Sequence, residues 1–218
     1  NYVKEYYEDL KKQSAEAVDG AANTDIADID ILLENYDDEL HRATAKDDIV
    51  EYINSKPCKD DEWFVDFEKE YNAAGKNIDS AEDKAAVDHE VNKAKRRVDF
   101  YEQYVDTVAA VKAQEGEDAD ISNIEALHEE GDDLIEKATP ENLDTRFEKA
   151  MLRLEIKEFE AIHADVLGKS PEDVKLEDKA LIEKAINDIN ALIPKAQDED
   201  LKSILTNYAR TLTDLYKE

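Results

Sequence analysis

The sequence predicts an all-α protein built from two related helical units, and three observations support this. Glycine and proline number only five and four in 218 residues, while helix-favouring alanine, leucine, glutamate and lysine are frequent. Apolar residues recur at the three- and four-residue spacing of amphipathic helices, and strand-like alternation is almost absent. The chain also matches itself at a spacing of 95 residues. We expect two tandem three-helix-bundle units that share a long central helix over about 80–115, closed by a C-terminal capping helix.

The internal match is strongest over residues 3–44, where 12 of 42 positions are identical to the residue 95 further along. Residues 25–29 align with 120–124 without a gap, and residues 82–85 align with 177–180. The matches include apolar positions at helical spacing, which is typical of a duplicated unit that stacks on its copy. A compositional echo among acidic helices is the alternative interpretation.

This alignment divides the chain into a first unit over 1–97, a second unit over 98–193 and a capping helix over 194–218. The stretch 80–115 has no glycine or proline and spans the end of one copy and the start of the next. As one helix it would be roughly 50 Å long, at about 1.5 Å per residue. Pro194 should end the array, so that the last helix folds back over apolar surface. This layout resembles the architecture of spectrin-type tandem three-helix repeats.

Helix ends are predicted from capping and breaking residues. Thr139 and Ser170 each precede a proline, so each is predicted to be an N-cap with proline at the first helical position. Thr44 and Ser80 are each followed three residues later by aspartate, which is a weaker capping signal. With the interrupting glycines and prolines, these signals predict helices at 2–18, 24–43, 45–55, 61–74, 80–115, 120–138, 140–167, 171–193 and 198–217.

Apolar stripes support the later helices. The helix predicted at 140–167 carries two separate stripes, so we expect it to pack on two sides. One stripe contains Leu143, Phe147, Met151 and Leu154, and the other contains Leu152, Ile156, Phe159 and Val166. The last helix has a single stripe at four- and three-residue spacing, which requires one partner groove. That stripe contains Leu201, Leu205, Tyr208, Leu212 and Leu215.

The net charge of −29 excludes several classes of partner. A phosphate backbone needs a basic surface, so we expect no nucleic-acid binding, and the same charge disfavours anionic lipid. No apolar run approaches the roughly 20 residues of a membrane-spanning helix. The only cysteine, Cys58, has no second cysteine for an internal disulfide and is interpreted as incidental. The acidity, the start at Asn1 and this cysteine lead us to expect a bacterial surface or periplasmic location, with the cytoplasm as the alternative.

Three acidic residues precede a histidine by three positions, a spacing that places both side chains on one helix face. Di-metal carboxylate bundles use two such pairs together with glutamates from two further helices. About a quarter of the residues here are acidic, so such pairs also arise by chance, and the apolar stripes turn their carboxylates outward. We predict no metal site, and a metal-binding carboxylate bundle is the alternative. The pairs are Asp38 with His41, Glu125 with His128, and Glu160 with His163.

Residues 115–120 are acidic and begin a partial match to a calcium-binding loop. Asn123 occupies the position where glycine is required, and a helical stripe continues through it. We interpret the segment as a solvated turn with Asp120 as the N-cap, and weak surface calcium binding is the alternative. The oxygen-bearing residues at loop spacing are Asp118, Asp120, Ser122 and Glu129.

No Gly-x-Ser-x-Gly motif, phosphate-binding glycine loop or Cys–His pair occurs in the sequence, so no catalytic or cofactor-binding residue is predicted. Aromatic residues crowd the fourth predicted helix, where core packing and a partner-binding patch are alternative interpretations. If a partner site exists there, we expect it at Trp63, Phe67 and Tyr71. The sequence favours a non-enzymatic spacer, scaffold or protein-binding module, with an intracellular adaptor as a further alternative.

Overall fold

The computed structural model describes the backbone of residues 2–20, 26–72 and 77–217 and the side chains of residues 2–13, 33–69, 71 and 77–217. Across these ranges the regular secondary structure is helical, which confirms the predicted fold class. Within them lie nine α-helices: Tyr2–Gly20 (α1), Ile26–Asn54 (α2), Glu62–Asn72 (α3), Lys84–Glu115 (α4), Ser122–Glu136 (α5), Leu143–Ile162 (α6), Ala164–Leu167 (α7), Lys179–Leu192 (α8) and Glu199–Lys217 (α9).

The chain divides into two compact units, Asn1–Lys95 and Arg96–Glu218, and the dividing point falls inside α4. The sequence-based division at 97/98 and 193/194 stays a prediction. In the first unit, α1 and α3 both contact α2. Asp47 of α2 accepts hydrogen bonds from the first backbone N–H groups of α1, at 3.0 and 3.1 Å, which satisfies donors that have no partner within their own helix.

The second unit has two apolar cores, and α6 contributes to both. Leu143 and Leu154 are buried in one core with residues of α4 and α5. Leu152 and Ile156 are buried in the other with residues of α8 and α9. The two-sided packing predicted for this helix is therefore confirmed. The stripe of the last helix is also confirmed, since its four leucines are buried and Tyr208 packs beside them.

The helix break predicted at Thr44 and the caps predicted at Thr44 and Ser80 are wrong. Thr44 lies inside the continuous helix α2, where its hydroxyl donates to the Leu40 carbonyl at 2.9 Å. This bond satisfies the hydroxyl without ending the helix, and no glycine or proline interrupts the chain there. Helix α4 starts at Lys84 and not near Ser80. Asp83 is its cap, since its carboxylate accepts the Ala86 N–H at 2.8 Å.

The predicted Thr139 cap is also displaced along the chain. Residues 140–142 form a turn, and α6 begins at Leu143. The Thr139 N–H donates to Asn142 Oδ1 at 3.0 Å. This bond closes the turn at 140–142, and it does not cap the first turn of α6. Arg146 then donates to the Leu134 and Lys137 carbonyls at 3.1 and 3.0 Å, which satisfies acceptors at the end of α5.

The helix predicted at 171–193 is shorter than expected. Ser170 precedes a 3₁₀ turn at Pro171–Asp173, and a second 3₁₀ turn at Leu176–Asp178 precedes α8. Extended backbone at Val174 and Lys175 separates the two turns. Helix α8 ends at Leu192, one residue before the predicted end, and the following 3₁₀ turn Ile193–Lys195 contains Pro194.

The predicted ends of two further helices lie at residues 167 and 74. Helix α6 ends at Ile162 and α7 follows after His163, so the predicted helix 140–167 is interrupted near its end. In the first unit, the predicted end at residue 74 lies outside the described residues. The aligned residue Asp25 and the side chains of Ile26 and Ile29 also lie outside them.

Candidate functional site

The aromatic patch predicted on α3 is mostly core. Phe67 and Tyr71 are 3 % and 0 % exposed, while Trp63 is half-buried. The three rings stack along one face of the helix, with centroid separations of 4.7 Å between Trp63 and Phe67 and 4.9 Å between Phe67 and Tyr71. Phe67 and Tyr71 are therefore core residues, because a buried ring offers no contact area to a partner. Only Trp63 keeps an accessible part, and its use in binding stays a prediction.

The Glu160–His163 pair does not form a common ligand set. His163 is buried and its Nε2 lies 2.8 Å from Asp188 Oδ2 of α8. Glu160 accepts the Tyr208 hydroxyl at 2.6 Å and pairs with Lys157 at 2.7 Å. Glu160 near the end of α6 and His163 just after it thus bind different neighbours, which holds this part of the chain against α8 and α9.

The other two acid–histidine pairs are also separated. His128 lies against Phe100 and Tyr104, with ring centroids 5.5 and 4.5 Å away, while Glu125 is exposed. Burial lowers the pKa of His128 below its usual value, although the nearby Asp132 carboxylate opposes this effect. In the first unit, Asp88 of α4 lies 2.9 Å from His41 Nε2, while Asp38 Oδ1 lies 3.7 Å from Lys84 Nζ. Each of these two histidines therefore contacts a neighbouring helix.

The calcium-loop match is helical backbone from Ser122 onward, while Asp118 and Asp120 lie before the helix. Asp120 Oδ1 accepts the Ser122 N–H at 3.0 Å, and α5 begins at Ser122. Hydrogen bonding from Ser122 lowers the pKa of Asp120, since these donors stabilise the charged carboxylate. Among the residues that the structure describes, no three histidine, cysteine or acidic side chains converge as metal ligands.

Binding space is offered by a furrow along α6 in the second unit, which we name the α6 furrow. It consists of three adjoining open cavities of 270, 430 and 190 Å³. Glu148 lines the first two cavities and Glu155 lines the last two, so the cavities follow one another along the helix. Opposite α6 lie residues of the end of α8 and of the segment 194–198, including Leu192 and Pro194.

The furrow exists because α6 packs on two sides. Its two buried stripes face different cores, and the strip of surface between the stripes is left partly uncovered. Four residues on that strip, together with Met151 at the edge of the first stripe, line the cavities at three- and four-residue spacing, which places all five on one helix face. Glu148 and Ile162 are exposed, and the other three are half-buried. We name these residues the furrow stripe: Glu148, Met151, Glu155, Glu158 and Ile162.

Polar contacts bridge the α6 furrow at its first end and in its middle. Lys195 Nζ lies 2.6 Å from Glu155 Oε1, and Lys149 Nζ lies 2.6 Å from Asp198 Oδ2. These pairs, together with the Gln197 amide, which donates to a side-chain oxygen of α6, link this helix to the segment before α9. The bond from Lys149 and the Leu201 N–H lower the pKa of Asp198, which also caps α9.

Among the described residues, two carboxylates of the furrow stripe accept hydrogen bonds from neutral amides and not from cationic side chains. Glu148 Oε2 accepts from the neutral amide of Gln197, and Glu158 Oε2 accepts from the neutral amide of Gln103 at 2.6 Å. Ile162, one turn beyond Glu158, is 51 % exposed. The stripe therefore presents negative charge together with apolar surface.

Sequence reasoning did not identify the furrow. Its partial signal was present, because the two stripes of α6 imply a strip between them. Whether that strip is covered depends on the path of the chain after Pro194, and periodicity within α6 carries no information about that path.

Comparison with models of known protein families, with curated proteins and with solved structures finds no match to this chain. Within the described part of the chain, no helix is both long enough and apolar enough to cross a bilayer.

Proposed function

We propose that this chain is a non-enzymatic helical repeat protein that acts as a spacer, scaffold or protein-binding module. Protein binding is the use that the α6 furrow supports best. The furrow combines an accessible apolar side chain, Ile162, with carboxylates held in defined positions by hydrogen bonds. Apolar surface with fixed polar groups at its edge is the composition of protein contact sites. This observation carries the proposal.

The proposed duplication is supported by positions 95 residues apart. Helices α4 and α8 begin at Lys84 and Lys179, which correspond in the alignment. Side chains at several corresponding positions are buried in both copies, as expected when two units use the same core positions. These pairs are Ala43 with Ala138, Phe64 with Phe159, Val87 with Ile182, and Ala94 with Ile189.

The absence of catalysis is part of the proposal and is supported by the use of the polar groups. His163 and Glu160, which could serve an acid–base role, are engaged with Asp188, Tyr208 and Lys157 across helix contacts. Burial and the bond to the Glu160 carboxylate raise the pKa of Tyr208 to about 12, so this hydroxyl stays protonated and keeps donating.

A location at a bacterial surface or in the periplasm also stays part of the proposal. It rests on the net charge of −29 and on the single cysteine. Fractionation of the source cells, with an antibody against the purified chain, tests it. Recovery of the protein in the cytoplasmic fraction alone would contradict this location and favour the intracellular adaptor.

Protein binding is tested by comparing what two matched variants capture from the source cells. The furrow variant, Glu158→Gln with Ile162→Lys, removes one carboxylate and one exposed apolar side chain from the furrow stripe. The control variant, Glu177→Gln with Leu181→Lys, makes the same changes at the same four-residue spacing outside the furrow. Leu181 is 51 % exposed, as is Ile162, so the two variants are matched in charge and in the exposure of the apolar side chain that is replaced.

We expect the wild-type protein and the control variant to retain the same bound proteins, identified by mass spectrometry, and the furrow variant to lose at least one of them. Circular dichroism of all three proteins verifies that they are folded. Equal capture by the furrow variant and the control would refute a binding role for the α6 furrow.

A further inference from the structure

We infer that the α6 furrow binds a basic amphipathic helix of a partner protein. This inference rests on the protein-binding function proposed above and deepens it, because it specifies the shape and the charge of the partner.

The spacing of the furrow stripe points to a helical partner. Residues 148, 151, 155, 158 and 162 alternate steps of three and four, which is the pattern along which a second helix packs with its knobs between those of the first. From Glu148 to Ile162 the stripe extends about 21 Å, at about 1.5 Å per residue, so a helix of four turns covers it. The cavities between the stripe and Pro194 or Leu192 accept the side chains of such a helix.

The chemistry of the same stripe specifies a basic partner. Three of its five residues are glutamates, while the other two, Met151 and Ile162, are apolar. Glu148 and Glu158 bind only neutral amides within the hydrogen bonds that define their positions, so their charges are not cancelled there. They lie ten residues apart, about 15 Å along the helix axis. A partner helix with lysine or arginine about ten residues apart, and leucine-like residues between, matches this arrangement.

The middle of the furrow stripe carries the third carboxylate, that of Glu155. Glu155 pairs with Lys195 through Oε1, and its Oε2 is buried without a hydrogen-bond donor among the described residues. Because this oxygen has almost no solvent-accessible surface, it adds to the negative potential of the furrow and is not itself a contact point for a partner. An acidic partner helix would instead place like charges against three glutamates, which is unfavourable.

The test uses a fluorescein-labelled synthetic helix of about 18 residues, built from leucine and lysine with leucine at alternating three- and four-residue spacing. Its isomer with glutamate in place of lysine is the charge control, and a scrambled lysine peptide is the control for helix amphipathicity. Fluorescence anisotropy measures the Kd of each peptide for the whole chain. Measurements at an ionic strength of about 0.15 M limit long-range attraction by the acidic chain, because the screening length there is about 8 Å.

We expect the lysine helix to bind the wild-type protein, and the furrow variant to weaken this binding by about tenfold or more, since it loses a charge contact and an apolar contact at the same place. The control variant should bind within about twofold of wild type, although it carries the same change in net charge. Hydrogen–deuterium exchange should slow along α6 when the peptide is bound.

Several results would overturn the inference. They are equal weakening by both variants, equal binding of the scrambled peptide, binding of the glutamate isomer, and the absence of binding. Self-association that the furrow variant abolishes, measured by light scattering, would assign the furrow to a second copy of this chain. If the furrow variant loses natural partners while the lysine helix does not bind, the inference fails and the proposed function stands. If capture from cells is also unaffected, both fail.

Discussion

Gly131 lies at a close contact between helices in the second unit, and replacing it by alanine is expected to destabilise the protein. In α5 this glycine faces Phe100 of α4 and Ala150 of α6. A Cβ placed on it would lie 2.2 Å from Cζ and 2.6 Å from Cε1 of the Phe100 ring, and 3.1 Å from Ala150 Cβ. Non-bonded carbon atoms are most stable at about 3.5–4.0 Å, so the ring must move by more than 1 Å.

The magnitude follows from two opposing effects. Exchanging glycine for alanine within a helix normally stabilises it by about 0.5–1 kcal/mol. Here Phe100 is 0 % exposed and Ala150 is 1 % exposed, so the ring has no solvent into which it can move. Overpacking of a core costs about 1–3 kcal/mol, and a contact this close belongs in the upper part of that range. We expect a net loss of about 1–2 kcal/mol in the free energy of unfolding.

Urea denaturation followed by circular dichroism measures this loss. Gly168→Ala is the matched control, because a Cβ there meets only the Ala164 carbonyl oxygen, at 3.5 Å. We expect this control to change stability by less than about 0.5 kcal/mol. Combining Gly131→Ala with Phe100→Leu, which replaces the ring by a shorter aliphatic side chain, should recover part of the loss as a coupling energy of about 0.5–3 kcal/mol. A stabilised Gly131→Ala protein, or strict additivity in the double variant, would refute the reasoning.

Three further variants test other parts of the second unit by the same denaturation experiment. Leu205→Ala removes a fully buried side chain of α9 and should cost about 2–5 kcal/mol; a loss below about 1 kcal/mol would contradict the assigned core. Gly116→Ala should cost about 1 kcal/mol although no atom lies near its Cβ, because φ is +104° there; an unchanged midpoint would contradict this backbone conformation. His128→Phe tests the buried imidazole. Its folded pKa is lowered, so the unfolded chain binds the proton more readily, and wild type should lose stability relative to the variant as the pH falls from 7.5 through about 6.5. Parallel stability curves for the two proteins would rule this out.

The acidic chain also responds to pH as a whole, so the His128 comparison depends on the difference between two proteins. Carboxylates are protonated only at pH values well below this range, and the resulting fall in repulsion within a chain of net charge −29 would oppose the loss from histidine there. That effect is common to wild type and variant and cancels in the difference. The pKa values of Asp120, Asp178 and Asp198 are lowered by hydrogen bonds, so the stability that they contribute is lost only at more acidic pH, below about 4.

Where a single helix carries its own signal, sequence reasoning succeeded. The two stripes of α6 and the leucine stripe of α9 were predicted from periodicity, and their burial is confirmed in two cores. Pro194 was predicted as a break, and α8 ends just before it. Periodicity and proline act through the backbone within a few residues, so they can be read without knowledge of the fold.

Where the signal depended on which partner a polar group would choose, sequence reasoning failed. Thr44 looked like a cap, yet its hydroxyl binds the Leu40 carbonyl inside a continuous helix. Thr139 and Ser170 preceded prolines as helix caps do, but a turn and a 3₁₀ segment intervene before the helices begin. Each of these residues has a local alternative of similar energy, and contacts with distant residues decide between the alternatives.

The sequence by itself determined that this protein is helical, where several of its helices end and which faces of α6 and α9 are buried, because these properties arise from neighbours within one or two turns. Only the tertiary structure decided that Phe67 and Tyr71 are core, that His163 binds Asp188, and that a furrow remains open along α6. Contacts such as His163 with Asp188 and Lys149 with Asp198 join residues 25 or more positions apart. Burial and the open furrow depend on which surfaces stay uncovered. The packing of the whole unit determines these contacts and these surfaces.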